Sequence, residues 1–214
     1  MAETARAESR LFPILTTVAL TLLVASMPAR LKLIDIREIY GAEAILVLSM
    51  LAASFSGVGS VWHRIERWVT FIFVWSGVII GVFILRVMIV DIVVHNRDLS
   101  AITLLTTSVS LWMANLLYFA LFYWQLDRGG PDGRVLGSRH VDFAFTQDQQ
   151  PNLSPGWRPA FPDYLFLGFT ASTAFSPCDV LPLSVRGKMT MMLQSSISLV
   201  TVVIVAARAI NVMQ

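Results

Sequence analysis

The sequence predicts an all-α membrane protein with five transmembrane helices and one re-entrant half-helix before the last of them. Hydrophobic residues make up 56% of the 214 residues and charged residues only 14%, and the mean hydropathy is +0.68. Five uncharged stretches have about the 20 apolar residues that a helix needs to cross a bilayer. A sixth stretch, residues 164–175, is too short to cross, and a polar, proline-broken loop follows it.

The five predicted spanning helices are separated by short charged or proline-containing segments. The first could be a secretory signal, since Arg6 and Arg10 precede it, but Glu3 and Glu8 dilute that charge and the apolar run is long, so we expect a retained helix. The predicted spans are residues 11–27, 44–62, 68–90, 100–124 and 189–212.

Residues 125–162 form the long polar stretch of the chain and are rich in glycine and proline. Loops of this length in compact domains are usually functional or disordered. Trp157 and Phe161, near the end of the loop, suit the aromatic belt at a membrane interface. The re-entrant half-helix is predicted at residues 163–174. Irregular backbone at membrane depth is tolerated only where protein buries it or water reaches it, so function is expected in the loop that follows.

Composition argues against several classes of function. The formal net charge is only +2, and no basic tract is interleaved with aromatics, so we expect no nucleic-acid partner. The single cysteine, Cys178, excludes an internal disulfide and a cysteine-based metal cluster, and the three histidines lack ligand spacing. No nucleophile–base pair, carboxylate pair or phosphate loop indicates an enzyme. We therefore expect no catalytic residues, no metal and no cofactor.

Two groups of residues in and after the short apolar segment have a recognisable spacing. They are Thr170, Ser172 and Thr173 within the segment, and Asp179, Pro182, Ser184, Gly187 and Lys188 after it. This pattern resembles the pore module of the tetrameric potassium-channel superfamily, in which the first group falls in the pore helix and the second follows the filter, between an outer and an inner helix. The resemblance implies an N-terminal three-helix region at residues 1–98 and a pore-like module at residues 99–214.

The filter-like loop itself departs from that family. The stretch between Thr173 and Asp179 is one residue longer than in the family and has no glycine. Filter glycines let the backbone point successive carbonyls at the ion, whereas Pro177 fixes its own φ and removes an amide donor. A potassium filter of the usual geometry is therefore not expected. The predicted loop consists of Thr173, Ala174, Phe175, Ser176, Pro177, Cys178 and Asp179.

A second resemblance extends over nearly the full length of the chain. Residues 123–131 read Tyr-Trp-Gln-Leu-Asp-Arg-Gly-Gly-Pro, and residues 175–184 read Phe-Ser-Pro-Cys-Asp-Val-Leu-Pro-Leu-Ser. Both stretches are similar to those of a family of uncharacterised bacterial multi-pass membrane proteins. The resemblance implies a location in the bacterial inner membrane and brings no established activity.

Polar residues on the last predicted helix recur at intervals of four, four, three and seven, which places them on one helical stripe. One interpretation is an inner helix that lines an aqueous cavity, and the other is hydrogen bonding between helices. Asn115, midway along the fourth helix, is predicted to bridge helices, and Asp179 either forms an acidic ring or bonds nearby amides. The stripe consists of Thr190, Gln194, Ser198, Thr201 and Arg208.

The expected function is that of an ion-channel-like membrane protein with a non-standard filter loop. The alternative is a non-conducting scaffold or partner-binding protein that keeps a channel-like fold. Expected partners are the lipid bilayer, further copies of the chain, most plausibly four in all, and inorganic ions. Orientation stays open, because the distribution of Lys and Arg favours a cytoplasmic N-terminus while the channel resemblance puts residues 125–162 outside.

Overall fold

The structure is a computed structural model, and it describes residues 8–28, 35–57, 59–90, 101–137, 140–150, 152, 155–173 and 180–212. These residues are mostly helical. The principal elements are α1 (Leu11–Ser26), α2 (Ile36–Phe55), α3 (Val61–Val90), α4 (Ala101–Leu126), α5 (Gly130–Val135), β1 (Phe143–Phe145), α6 (Thr146–Gln149), α7 (Phe161–Thr173), β2 (Val180–Pro182) and α8 (Val185–Val212). A 3₁₀ turn, Asp127–Gly129, joins α4 to α5.

Within the described residues, four helices are long and apolar enough to cross a membrane, so the chain is a helical membrane protein. The four spans are Arg37–Phe55, Val61–Val90, Ile102–Val135 and Val185–Ile204. Helix α1 is apolar but has only 16 residues. The expected count of five spans therefore stays a prediction.

Helix α4 lies at the centre of the bundle and packs against α1, α3, α7 and α8. In the most apolar 18-residue segment of the α4 span, 67% of the residues are buried, whereas 22–28% are buried in the corresponding segments of the other three spans. A helix that is apolar on all sides is stable inside a bundle, and the outer helices expose their apolar faces, as expected of surfaces in contact with lipid. Large exposed side chains on those faces include Leu22, Leu48, Phe55, Trp68 and Ile79.

The second and third predicted helices begin earlier than the sequence suggested. The expected span at residues 44–62 is α2, which begins at Ile36 because the Asp35 side chain accepts the Arg37 amide hydrogen at 2.9 Å. It ends at Phe55, before a turn in which Gly59 has a φ of +82°. The expected span at residues 68–90 is α3, which begins at Val61, because the charged residues before Trp68 are helical and partly buried rather than in a loop.

The expected half-helix is α7, which has 13 residues and packs between α4 and α8. After α7 the chain reaches β2, which pairs antiparallel with β1, so that Phe145 lies opposite Val180. The Phe145 ring also contacts the Tyr164 ring in the first turn of α7, with centroids 5.5 Å apart. The start of α7 and the start of α8 therefore lie at the same end of the bundle.

One hydrophobic core joins the two halves of the chain. It includes Leu20 of α1, Met50 of α2 and Val74 of α3 together with most of the second half of α4. Phe143, Phe161 and neighbouring residues of β1 and α7 belong to the same cluster. The division at residue 98 stays a prediction.

Candidate functional site

The predicted filter-like loop lies almost wholly outside the described residues. Thr173 is its described member, and it is the last residue of α7. Its hydroxyl donates to the backbone carbonyls of Phe169 and Thr170 at 3.0 and 3.3 Å. The positions outside the described part of the chain are Ala174, Phe175, Ser176, Pro177, Cys178 and Asp179.

Helix α7 approaches α4 closely at Gly168. A Cβ atom at this position would lie 3.1 Å from the Leu116 carbonyl oxygen and 3.5 Å from the Ala120 side chain. Since such a contact is tighter than most real Cβ contacts, a larger residue would push the two helices apart. Small residues at helix interfaces in membranes allow this kind of backbone approach. The glycine therefore lets α7 lie directly against the central helix.

The middle of the polar stripe of α8, at Gln194 and Ser198, contacts α7. Gln194 is fully buried, and its side-chain amide donates to the Gly168 carbonyl and to the Ser172 hydroxyl, both at 2.8 Å. Its side-chain oxygen accepts the Tyr123 hydroxyl at 2.6 Å, and its backbone carbonyl accepts the Asn115 side chain at 3.2 Å. The predicted bridging role of Asn115 is thus confirmed.

The other members of the stripe differ in their surroundings. Ser198 is buried and donates to the Ser172 carbonyl at 2.6 Å, and Thr201 is buried and bonds to its own helix. Thr190 is partly exposed and also bonds within its helix. The side chain of Arg208 lies outside the described residues. In a single protomer the central members of the stripe join helices, while a role in lining a cavity of an assembly stays a prediction.

Side chains from α8 and α4 donate hydrogen bonds to the last carbonyls of α7. The carbonyl of Ala171 accepts the Ser195 hydroxyl at 3.0 Å, and that of Ser172 also accepts the Trp112 indole at 3.3 Å. The last carbonyls of a helix have no partner within it and form the negative end of its dipole. These donors therefore satisfy that end of α7 with uncharged groups.

A charged network that sequence reasoning missed holds the opposite end of α7. Arg134 is almost fully buried, and its guanidinium donates two hydrogen bonds to one carboxylate oxygen of Glu8, at 2.7 and 3.2 Å. The other oxygen of Glu8 accepts the Trp124 indole at 2.8 Å and the Phe161 amide at 3.1 Å. Glu8 thus caps the N-terminus of α7, where a negative charge is favourable.

Tyr164 links this pair to a second carboxylate. Its hydroxyl donates to Asp127 at 2.7 Å, while Arg134 donates to the Tyr164 oxygen at 3.3 Å. Burial raises the pKa of Tyr164 well above its ordinary range, so the hydroxyl remains a donor. The other Asp127 oxygen accepts the amides of Asp142 and Phe143, at 2.8 and 3.3 Å. Asp127 therefore fixes the chain entering β1.

Asp142 connects the same region to the start of α8. Its carboxylate accepts two hydrogen bonds from the Arg186 guanidinium, both at 2.6 Å, and one from the Ser184 hydroxyl at 2.5 Å. Its backbone carbonyl accepts the Leu183 amide at 2.8 Å. These bonds tie the segment before β1 to the segment after β2.

A third part of the network joins α1 and α5 to α3. Arg10 and Glu66 form a buried pair with two contacts of 3.4 Å, and His63 lies 3.2 Å from Asp132. The other Asp132 oxygen accepts the Gly59 amide at 2.9 Å. His63 and Glu66 at the start of α3 are therefore buried against the network, while Arg64 between them is exposed.

The turn after α4 needs glycine to bring these groups together. Arg128, Gly129 and Gly130 have φ values of +56°, +81° and +85° in succession. A Cβ atom at Gly130 would lie 2.8 Å from the Gln125 side-chain oxygen. L-residues rarely adopt such φ angles, so glycine is favoured at positions 129 and 130. The turn that these two glycines form brings Asp127 and Arg134 into the network.

The charged groups of this network are paired with each other. Among the described residues, no group of three or more His, Cys, Asp or Glu side chains could hold a metal ion. No protein-family model, curated protein or solved structure matches the chain. The resemblance to potassium channels therefore rests on the residues quoted above, and functional inference rests on the arrangement of α4, α7 and α8.

Proposed function

We propose that the chain is the protomer of an ion-channel-like assembly in the bacterial inner membrane, with its ion pathway at residues 173–179. The observation that carries the proposal is the half-length helix α7 between two spanning helices, with the chain returning to the end from which α7 starts. This is the order outer helix, pore helix, loop and inner helix, supplied by α4, α7, the loop and α8.

The length of α7 supports a re-entrant path. Thirteen residues of helix rise about 20 Å, which is less than the roughly 30 Å of the hydrocarbon core. The side chains that satisfy its last carbonyls come from α8 and from the middle of α4.

A pathway of this kind requires several copies of the chain. One loop supplies only part of a ring, and a closed ring with rotational symmetry encloses an axis. Four copies are proposed, in line with the resemblance. Because the loop has no glycine, its side chains rather than a ladder of carbonyls would set selectivity, with Ser176, Cys178 and Asp179 as the polar candidates. A ring of Asp179 carboxylates would favour cations, and a ring of Arg208 at the other end would oppose them.

A specific observation favours a second candidate, the non-conducting scaffold. Gln194, Ser198 and Thr201 are buried inside the protomer, so the stripe expected to face an aqueous cavity is used for packing. The exposed side of α8 is mainly apolar, with Met192, Leu199 and Val203 among its residues. A scaffold would need only this packing between helices, and it would not need an open pore along a symmetry axis.

Planar-bilayer recording of the purified protein separates the two candidates. Wild type is compared with Asp179→Asn, and Asp35→Asn serves as the control because it makes the same charge change at the exposed start of α2. The proposal expects single-channel currents whose cation-to-anion permeability ratio falls in Asp179→Asn and stays unchanged in Asp35→Asn.

Native mass spectrometry of the same samples gives the number of copies. Oligomers together with currents altered only by Asp179→Asn support the channel-like proposal. Well-folded oligomers without current over a range of ions and voltages support the scaffold. A monomer in both detergent and nanodiscs would reject a pore around a symmetry axis.

A further inference from the structure

The structure contains an apolar cavity of about 280 Å³ between α1, α2, α3 and α4. Leu20 and Met27 of α1, Phe73 and Ile84 of α3, and Leu111 of α4 are among its lining residues. The exposed residues Ala42 of α2 and Ser76 of α3 lie on its rim. Since both helices are membrane-span candidates, the opening faces the lipid phase.

Two glycines on α3 create the space in different ways. At Gly77 the ring of Tyr118 occupies the volume of a side chain, because a Cβ atom there would lie 2.1 Å from the ring carbon Cζ. At Gly81 the nearest atom to a Cβ would be a Leu111 methyl group at 4.0 Å. Gly81 therefore borders unfilled volume, and a side chain at this position would enter the cavity.

The lining of the cavity suits hydrocarbon better than water. One water needs roughly 10–15 Å³ of such volume and two to four polar partners, so 280 Å³ would require many partners. Two buried residues of the lining, Thr21 and Tyr118, carry a hydroxyl, and that of Thr21 has no hydrogen-bond partner among the described residues. Water would therefore be poorly held, while an empty void would forfeit dispersion contacts.

The length and the ends of the cavity indicate the kind of hydrocarbon. The lining residues of α1, from Leu20 to Met27, rise about 10 Å, and those of α3, from Phe73 to Ile84, rise about 16 Å. These lengths approach half of the roughly 30 Å hydrocarbon core, which is the depth of one lipid leaflet. One end of the cavity is at Glu38, in the first turn of α2.

We propose that this cavity holds one acyl chain of a phospholipid from the surrounding bilayer. The chain enters between α2 and α3, its end lies near Gly77 and Tyr118, and the headgroup stays at the level of Glu38. Exposed Arg37, next to Glu38, supplies a positive charge for the phosphate at that level. This inference concerns the N-terminal helices and does not depend on an ion pathway.

Photo-crosslinking in nanodiscs tests the proposal. The probe is phosphatidylcholine with a diazirine in one acyl chain, and labelled residues are mapped by peptide mass spectrometry. Tyr118 is only 9% exposed and reports entry into the cavity, whereas Ile79 is 66% exposed and reports lipid at the outer surface. The proposal expects labelling of both residues in wild type. Labelling of Ile79 without Tyr118 would overturn it.

A variant that fills the cavity provides the second test. Gly81→Leu is expected to reduce labelling of Tyr118 about tenfold and to leave Ile79 unchanged, because the new side chain competes for the same volume. Gly41→Leu is the matched control, since Gly41 is exposed on α2 and has no atom near its Cβ position. Equal Tyr118 labelling in the two variants would overturn the proposal, and thermal unfolding of each variant checks that it is folded.

Thr21→Val distinguishes an acyl chain from a ligand with a polar group at the same depth. The substitution keeps the volume and removes the unpaired hydroxyl. An acyl chain makes no hydrogen bond there, so we expect Tyr118 labelling to be unchanged and the melting temperature to rise, as an unsatisfied buried group is removed. A severalfold loss of labelling would show that Thr21 pairs with its occupant, and the acyl-chain proposal would fail.

Discussion

The first turn of α7 is held by charged groups, and its last turn is held by neutral ones. At the first turn, Glu8 accepts the Phe161 amide and pairs with Arg134, which also contacts Tyr164. At the last turn, serine hydroxyls and a tryptophan indole donate to the carbonyls, and the Gln194 amide donates to the Ser172 hydroxyl. The same short helix therefore joins two kinds of polar cluster.

The two ends differ in the partners that are available to a buried charge. The charged cluster lies where the long polar segment packs against the helix ends, and its carboxylates have both cations and amide donors as partners. A charge deeper in the hydrocarbon region is more costly, because water cannot reach it. Hydroxyl and amide donors can satisfy the last carbonyls of α7 without that cost.

Removing the central cation should have the largest effect. Arg134→Met leaves the partly buried Glu8 carboxylate without its cation and the backbone carbonyls of Trp124 and Asp127 without this donor, and we expect a loss of about 3–5 kcal/mol in the free energy of unfolding. Unfolding in detergent with added denaturant measures the loss. Arg158→Met removes the same charge at an exposed position and is the matched control.

A double variant checks the cause of that loss. Glu8→Gln combined with Arg134→Met should be more stable than Arg134→Met alone, because the amide no longer leaves a charge buried without its partner. If Arg134→Met were as stable as Arg158→Met, the charged cluster would not be what holds the first turn of α7.

The neutral cluster should be weaker than the charged one. Gln194→Leu removes three side-chain hydrogen bonds, to Tyr123, Gly168 and Ser172. At about 0.6 kcal/mol for each such bond in a membrane, the expected loss is about 2 kcal/mol. Thermal unfolding in detergent measures it. Ser196→Ala is the control, since Ser196 is exposed and bonds only to its own helix, and an equal loss in both variants would contradict the assignment.

The smallest effect is expected at the exposed edge of the charged cluster. The Arg186 side chain is 50% exposed although its partner Asp142 is buried. Solvent screens such a pair, so Arg186→Gln should cost at most about 1 kcal/mol, and the cost should shrink at high salt. Lys188→Gln is the control, since Lys188 is an exposed cation two residues along the same helix. A large loss of stability in Arg186→Gln that does not depend on salt would contradict this expectation and show that the Arg186–Asp142 pair stabilises the fold as strongly as Arg134 does.

Much of the helical layout could be predicted from local sequence. The apolar stretches that became α1, α4 and α8 were recognised because hydrophobic length is a local property, and the short stretch that became α7 was recognised for the same reason. Boundaries at charged ends were less accurate. Residues 63–67 were expected to separate the second and third spans, but they belong to α3, because the partners that pair buried charges cannot be seen in a local stretch of sequence.

The charged cluster was beyond sequence reasoning. Glu8 and Arg134 are 126 residues apart, and each is one of several charged residues in a terminal or loop segment. Glu8 entered the sequence argument only as a charge diluting a possible signal. The glycines at 129 and 130 were noticed as part of a loop, but their positive φ values show that they form the turn between Asp127 and Arg134.

The sequence by itself determined that the chain is a helical membrane protein, because composition and apolar length limit which segments can lie in lipid. Only the tertiary structure decided what the polar residues of those helices contact. The spacing of the α8 stripe suits a water-facing side as well as a bridge between helices, and the close approach of α7 at Gly168 places Gln194 and Ser198 in a bridge to α7.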